Sequence, residues 1–150
     1  MQLGIRFLAS RDRTVAQVEQ YLASKGASPI QVRQIVRRLT DLSYLNDDDY
    51  ARRWVDNRLA SRPMGQERLK AELQAKGIAE ILANRVIADA FGAASEEVVA
   101  HRVLQAAQRH GRRLTLSQLG RLLRQRGFSG ETINRMIEES KINEEAVYEE

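Results

Sequence analysis

The sequence predicts an all-α protein made of three tandem three-helix repeats. A five-residue phrase occurs three times in the 150 residues, and its glycines, Gly26, Gly77 and Gly127, lie 51 and 50 residues apart. Self-similarity at a fixed period of this size is typical of repeat architectures. Apolar residues recur at helical spacing within each period, and no segment sustains the period-two alternation of a strand. We therefore expect about nine helices and essentially no sheet.

The recurring phrase predicts the end of the second helix in each unit. Glycine suits the left-handed position that follows a helix, and the Lys or Arg before it complements the helix dipole. Thr or Gly stands twelve residues earlier, at a position that suits an N-cap. A leucine four residues before each glycine lies on the apolar face of that helix. These leucines, Leu22, Leu73 and Leu123, are expected to be equivalent buried positions.

Apolar stripes also predict the first and third helices of each unit. In the first unit, Ile5 and Leu8 support the first helix, and Pro29 fits the first position of the third helix behind Ser28. The first helix of the third unit is out of register by one residue, and a longer link at residues 109–114 absorbs the slip. We assign residues 1–46, 47–95 and 96–142 to the three repeats and residues 143–150 to an acidic C-terminal tail.

Composition favours a soluble intracellular protein, and we expect a cytoplasmic monomer. The chain has no cysteine, which excludes disulfides and thiolate chemistry and fits a reducing compartment. The N-terminus enters a helical pattern directly, without the apolar core of a signal peptide. No run approaches 18 apolar residues, so we expect no membrane span.

Charge is unevenly distributed along the chain. The net charge is +4, yet residues 98–130 hold seven arginines and no acidic residue, whereas residues 131–150 hold two basic and seven acidic residues. An arginine-rich stretch without counter-charge projects a field that attracts a polyanion or an acidic protein. The alternative is an ordinary solvated surface. The acidic tail is one candidate to fold back and screen the basic stretch when no partner is bound.

The candidate partner-binding residues are basic. Arg121 and Arg124 lie three apart and so share one face of a helix, opposite the face of Leu119, Leu122 and Leu123. The full candidate set is Arg109, Arg112, Arg113, Arg121, Arg124 and Arg126 in the third unit, Arg68, Lys70 and Lys76 in the second, and Lys25 in the first.

Nothing in the sequence favours catalysis, a metal or a cofactor. The only histidines, His101 and His110, have no nearby cysteine or acidic residue to complete a metal site. The three aspartates at residues 47–49 are favoured instead as the cap and first turn of a helix. Trp54 and Tyr50 lie at helical spacing with Val55 and fit a core better than a base-stacking platform.

Four stretches carry a further signal: residues 7–14 (FLASRDRT), 42–52 (LSYLNDDDYAR), 65–78 (GQERLKAELQAKGI) and 122–129 (LLRQRGFS). In these stretches the chain resembles the RecX family of bacterial RecA regulators, and the resemblance covers nearly the whole chain. The central stretch is the most specific. Ser43 departs from the family, which usually has glycine before the tyrosine, and the acidic extension from residue 138 to 150 has no counterpart.

The resemblance implies a fold and a function that the residues alone do not establish. RecX-like proteins are elongated, curved stacks of three-helix units that bind in the groove of the RecA filament on single-stranded DNA. There they inhibit ATP hydrolysis and strand exchange and limit co-protease activity during the SOS response. The expected partner is therefore the RecA filament, with no cofactor and no enzymatic activity.

Direct DNA binding and a plain adaptor role remain as alternatives. A short helix, a glycine turn and a second helix resemble a helix-turn-helix, and Arg33, Arg37 and Arg38 of the first unit could contact phosphates. The later units place Asn84-Arg85 and Asn134-Arg135 there, so no common reading face repeats. Sequence-specific recognition is thus disfavoured, whereas non-specific contact with single- or double-stranded DNA stays open.

Overall fold

The computed structural model describes residues 1–92 and 95–148, apart from the side chains of Ser10 and Tyr148. Within this part of the chain there are nine helices and no strand, which confirms the predicted fold class. The first unit holds α1 (Gln2–Ser10), α2 (Val15–Ser24) and α3 (Pro29–Asp41). The second holds α4 (Asp47–Ser61), α5 (Gln66–Ala75) and α6 (Glu80–Phe91). The third holds α7 (Glu96–Arg109), α8 (Leu116–Gln125) and α9 (Gly130–Tyr148).

In each unit the third helix packs against the first two. The link before the second helix spans residues 11–14, 62–65 and 110–115, so the third unit has the longer link that the register slip predicts. The boundaries assigned to the units remain a proposal. Residues 143–148 of the acidic tail continue α9 as helix, and residues 149 and 150 lie outside the described residues.

The second helices begin at the predicted N-caps. The Thr14 side chain accepts a hydrogen bond from the Gln17 amide at 3.2 Å, and the Gln17 side chain accepts one from the Thr14 amide at 3.1 Å. Thr115 forms the same reciprocal pair with Gln118. Gly65 occupies the equivalent position without a side chain to cap the helix. Such capping stabilises a helix by about 1 kcal/mol.

The three glycines end the second helices as predicted. Gly26, Gly77 and Gly127 have φ values of +93°, +85° and +79°. In each unit, the amide of the residue after this glycine donates a hydrogen bond of 3.0–3.1 Å to the carbonyl of the leucine that lies four residues before the glycine. The leucine side chains are buried as expected. Their exposed fractions are 2% for Leu22, 0% for Leu73 and 0% for Leu123.

Successive second helices are joined end to start. The carbonyl of Lys76, at the end of α5, accepts a hydrogen bond of 2.6 Å from the Thr14 hydroxyl at the start of α2. The carbonyl of Arg126, at the end of α8, accepts one of 2.7 Å from the Gly65 amide at the start of α5. The repeat therefore also fixes how units stack, because equivalent residues form both joints.

The buried apolar residues form two clusters. The second and third units share one cluster, which extends from Tyr50 to Met136, whereas the first unit has its own around Val18 and Leu39. Polar contacts join the first unit to the second. The Asp47 carboxylate accepts a hydrogen bond from the Val15 amide at 2.9 Å, and Arg53 pairs with Asp12 at 3.0 Å.

Ile5 does not belong to the core, although its place in the α1 stripe suggests that it supports the packing of this helix. Its side chain is 41% exposed. One repeat period of 51 residues later stands Asp56, which is also exposed, so the position faces outward in both units. The inward face of α1 is instead provided by Gly4, Phe7 and Leu8.

Replacing Ser43 with glycine should increase the free energy of unfolding by about 0.5–1 kcal/mol. Ser43 has a φ of +63° at the end of α3, and this left-handed conformation costs a residue with a side chain about 1–2 kcal/mol. Glycine removes that cost but loses more conformational entropy on folding, which offsets about 0.5–1 kcal/mol. Urea unfolding measures the difference. Ala71→Gly, in the middle of α5, is the control and should destabilise by about 1 kcal/mol; a neutral or harmful Ser43→Gly would contradict the argument.

Candidate partner-binding surface

Five candidate arginines of the third unit lie between the end of α7 and the last turn of α8. Arg109 ends α7, Arg112 and Arg113 lie in the link that follows, and Arg121 and Arg124 lie on α8. All five are exposed. In the described part of the chain, none of them has an acidic partner within 4.0 Å. We call these five residues the unit-three basic face.

Arg126 differs from these five because it is half-buried. Its guanidinium donates a hydrogen bond to the Pro63 carbonyl at 3.1 Å, so this side chain helps to hold the second and third units together. Burial lowers the pKa of Arg126, and the neighbouring charges of Arg62 and Arg68 lower it further. A side chain expected to act only on a partner therefore also has a structural role.

The candidate residues of the first two units are spread over several places. Lys70 pairs with Glu80 at 2.9 Å, and this contact lowers the pKa of Glu80. The Lys76 ammonium lies 5.0 Å from the centre of the Trp54 ring, and Lys25 lies 5.7 Å from that of Tyr21. Arg68 neighbours Arg126 of the third unit.

The acidic run at residues 47–49 forms the first turn of α4, as the sequence predicts, although Asn46 is the cap. Asp48 bonds Arg52 at 2.6 Å, and this hydrogen bond lowers the pKa of Asp48 and raises that of Arg52. Arg52 also pairs with Asp89 at 3.0 Å. Within the described residues, no group of three acidic or histidine side chains is arranged to hold a metal ion. Asp48 instead pairs with Arg52 within α4, and Asp47 accepts a hydrogen bond from the Val15 amide of α2.

Tyr50 and Trp54 belong to the packing of the second unit. Tyr50 is 9% exposed, and its ring stacks on that of half-buried Trp54 with 6.3 Å between centroids. The Trp54 indole donates a hydrogen bond of 3.0 Å to Glu72, and the Arg58 guanidinium lies 4.8 Å from the Trp54 ring centre. These partners favour the core interpretation over a base-stacking platform.

Arg112 and Arg113 face a groove that also involves the C-terminal extension. Leu104, Leu114 and Val147 contribute its apolar part, and Glu144 of α9 lies along it. The extension therefore places an acidic side chain on the same groove as two arginines of the unit-three basic face. It does so as a continuation of α9.

Arg62 is a basic residue that the charge pattern of the sequence does not single out, yet it lies at the junction of the second and third units. Arg62 is exposed and follows the last residue of α4. The repeat itself contains a usable signal, because Arg11 precedes Arg62 by 51 residues, one repeat period, and follows the last residue of α1.

Comparisons with known proteins identify the family of this chain. Residues 1–39 match the model of the first three-helix domain of RecX, and residues 46–87 match the model of the second. A regulatory protein RecX of Mycobacterium leprae is 32% identical over 143 residues, which cover 90% of this chain and 81% of the relative. The chain belongs to the RecX family. This confirms the resemblance seen in the sequence.

Other RecX proteins extend the comparison. Regulatory protein RecX of Lacticaseibacillus paracasei is 30% identical over 91% of this chain, which spans 58% of that relative's length. The chain likewise spans 53% of RecX from Bacillus subtilis, at 27% identity over 91% of this chain. The crystal structure of RecX from Lactobacillus salivarius has the same fold, with a TM-score of 0.79 and 22% identity over 94% of both chains. The family is one of regulatory proteins, and no helix within the described residues of this member is long and apolar enough to cross a membrane.

Proposed function

We propose that this RecX-family chain binds the RecA filament on single-stranded DNA and inhibits its ATPase, strand-exchange and co-protease activities. Family membership supports the proposal, because RecX relatives are regulatory proteins. The observation that carries the site assignment is the unit-three basic face, whose five arginines lack an acidic partner within the described chain. The protein acts as a cytoplasmic monomer, without chemistry of its own.

The unpaired arginines support binding to an acidic surface more than a structural role. Exposed ion pairs contribute only about 0–1 kcal/mol to stability, and these side chains form none with the described residues. Their guanidinium groups are free to pair with carboxylates or phosphates of a partner, which speeds association and selects partners of complementary charge. Inhibition would follow from occupancy, since a bound stack of units restricts movement of the filament subunits that it spans.

Changing Arg112, Arg113 and Arg124 to glutamate together should leave the fold intact and greatly weaken inhibition of the RecA ATPase. Each reversal replaces an attraction to the acidic partner with a repulsion, so the loss should be at least about tenfold in the concentration for half-inhibition. ATP hydrolysis by RecA on single-stranded DNA, titrated with each protein, measures it. Circular dichroism checks the helical content.

The matched control changes three other exposed arginines, Arg33, Arg37 and Arg38 of α3, to glutamate. It alters the net charge equally, but on the first unit. Arg52 would be a poor control because its reversal would break the ion pairs with Asp48 and Asp89. Equal loss in both triple variants would show that only net charge matters. Wild-type inhibition by the folded unit-three variant would move the contact surface elsewhere. Co-sedimentation with RecA filaments, compared with bare single-stranded DNA, tests the partner itself.

A further inference from the structure

The two joints between units contain equivalent notches lined by basic side chains. At the joint of the second and third units, the notch is formed by Arg62, Arg68 and Arg126 with Met64 and Gln125. At the joint of the first and second units, the residues one repeat period earlier line a second notch. They are Arg11, Gln17 and Lys76, at spacings of 51, 51 and 50 residues from Arg62, Arg68 and Arg126.

Helix ends fix the cations of the notch between the second and third units, which we call the arginine notch. Arg62 is the C-cap of α4, Arg68 lies in the first turn of α5, and Arg126 is the C-cap of α8. The same end-to-start joint that binds the Gly65 amide to the Arg126 carbonyl holds these three positions together. The cavity between them has a volume of about 420 Å³ and opens to solvent.

The arginine notch has an excess of positive charge. Burial lowers the pKa of Arg126, and charge repulsion from the nearby Arg62 and Arg68 lowers it further. Arg68 has an acidic partner in Glu72, one of whose oxygens lies 3.8 Å from Arg68 Nε. The other oxygen of Glu72 already accepts hydrogen bonds from Trp54 and Arg58. An anion entering the notch would relieve repulsion that the protein itself leaves in place.

The notch between the first and second units has the same plan with less charge. Arg11, Arg53 and Lys76 line a cavity of about 230 Å³, and Asp12 pairs with Arg53 at 3.0 Å. Gln17 stands where Arg68 stands in the arginine notch. Two basic notches therefore lie one repeat unit apart along the stack, and the arginine notch has the greater positive charge.

We propose that the two notches bind the sugar-phosphate backbone of a single-stranded nucleic acid, with the arginine notch as the principal contact. Guanidinium groups donate paired hydrogen bonds to phosphate oxygens. A strand carries a phosphate on every nucleotide, so it presents an anion to both notches in any register. An acidic protein surface would need carboxylates at two matching places. This contact goes beyond the proposed inhibition of RecA and does not depend on it.

Changing Arg62 and Arg68 to glutamine together should weaken binding of a labelled thymidylate oligonucleotide by about tenfold. The slope of log affinity against log salt should fall by about 1.4, since each phosphate contact on a single strand contributes about 0.7. Fluorescence anisotropy of the full chain over a salt series measures both quantities. The single variant Arg62→Gln leaves the Arg68–Glu72 contact intact and should fold like wild type. Its slope should fall by about half as much as that of the double variant.

The control is Arg33→Gln with Arg37→Gln, two exposed arginines on α3 that change the net charge equally. Wild-type affinity and slope in the control, with a loss in the notch variants, would support the proposal. Equal losses in both would overturn it in favour of diffuse attraction, and a larger loss in the control would overturn it in favour of binding by the third helix. Unchanged binding by the notch variants would also overturn it. The proposal would also be overturned if polyglutamate displaced the strand as effectively as a competing thymidylate strand does, because that result would favour an acidic protein as the occupant. None of these outcomes depends on whether the chain inhibits RecA.

Discussion

Replacing Leu73 with alanine should destabilise the protein more than the same change at Leu22 or Leu123. All three side chains are buried, and truncating a buried leucine costs about 2–5 kcal/mol. Leu73 and Leu123 both lie in the core that the second and third units share, but only Leu73 belongs to the middle unit, which is joined to a unit on each side. Its loss therefore leaves a cavity that packed neighbours on both sides cannot easily fill. Leu22 lies in the separate core of the first unit, which has no unit before it.

Urea unfolding of the three alanine variants measures this ranking. We expect the loss of unfolding free energy to lie near the upper end of this range for Leu73→Ala and near its lower end for Leu22→Ala. In Leu22→Ala the second and third units should keep their stability. Limited proteolysis distinguishes the two cases, because Leu22→Ala should expose the first unit alone. Equal costs at all three positions would contradict the greater packing of the middle unit, and tolerance of all three would contradict the equivalence of the repeats.

Replacing Gly65 with alanine should disrupt the joint between the second and third units. A Cβ atom at Gly65 would lie 2.3 Å from the Gly127 carbonyl oxygen and 2.6 Å from the Phe128 amide nitrogen. Both are backbone atoms, so the clash is relieved only by moving the units apart and lengthening the hydrogen bond from the Gly65 amide to Arg126. Overpacking of this kind costs about 1–3 kcal/mol.

Two other glycines separate this clash from backbone strain. Gly65 has a φ of −76°, which alanine adopts freely, so its variant tests the clash alone. Gly26 has a φ of +93° and open space around it, so Gly26→Ala tests left-handed strain alone, at about 1–2 kcal/mol. Gly127 has a φ of +79°, and a Cβ atom added to it would lie 2.3 Å from Arg68 Cβ, so its variant should be the worst of the three. Unfolding by urea ranks them, and wild-type stability of Gly65→Ala would show that the joint is not closely packed.

The repeat pattern predicts the helices well because their signals are local. Capping residues, glycine stops and apolar spacing act within one helix, so the sequence alone correctly assigns the roles of Thr14, Gly77 and Leu123. The same signals cannot reveal a second role across units. Gly127 ends α8, but it also makes room for Arg68 of the preceding unit, and that contact depends on how the units stack.

The candidate site is predicted less completely because charge patterns do not show which charges are paired. Lys70 is a candidate by its charge, although Glu80 pairs with it across ten residues of sequence. Arg126 fits an exposed contact by its sequence position, whereas its guanidinium also forms the hydrogen bond to Pro63. The charge pattern of the sequence does not reveal Arg62. Its charge repels that of Arg126, which is distant in sequence and comes close to Arg62 only where the two units join.

The end-to-start joining of α8, α5 and α2 gives the molecule a direction. One extremity carries the closing turn of α2 with Lys25, and the opposite extremity carries the opening turn of α8 with Thr115. Turning the stack end for end does not reproduce the same surface, because a helix start then replaces a helix finish. A nucleic-acid strand and a helical filament also have distinguishable ends. The two opposite orientations of this chain along such a polymer are therefore different complexes with different free energies. The chain should bind the polymer in one preferred orientation.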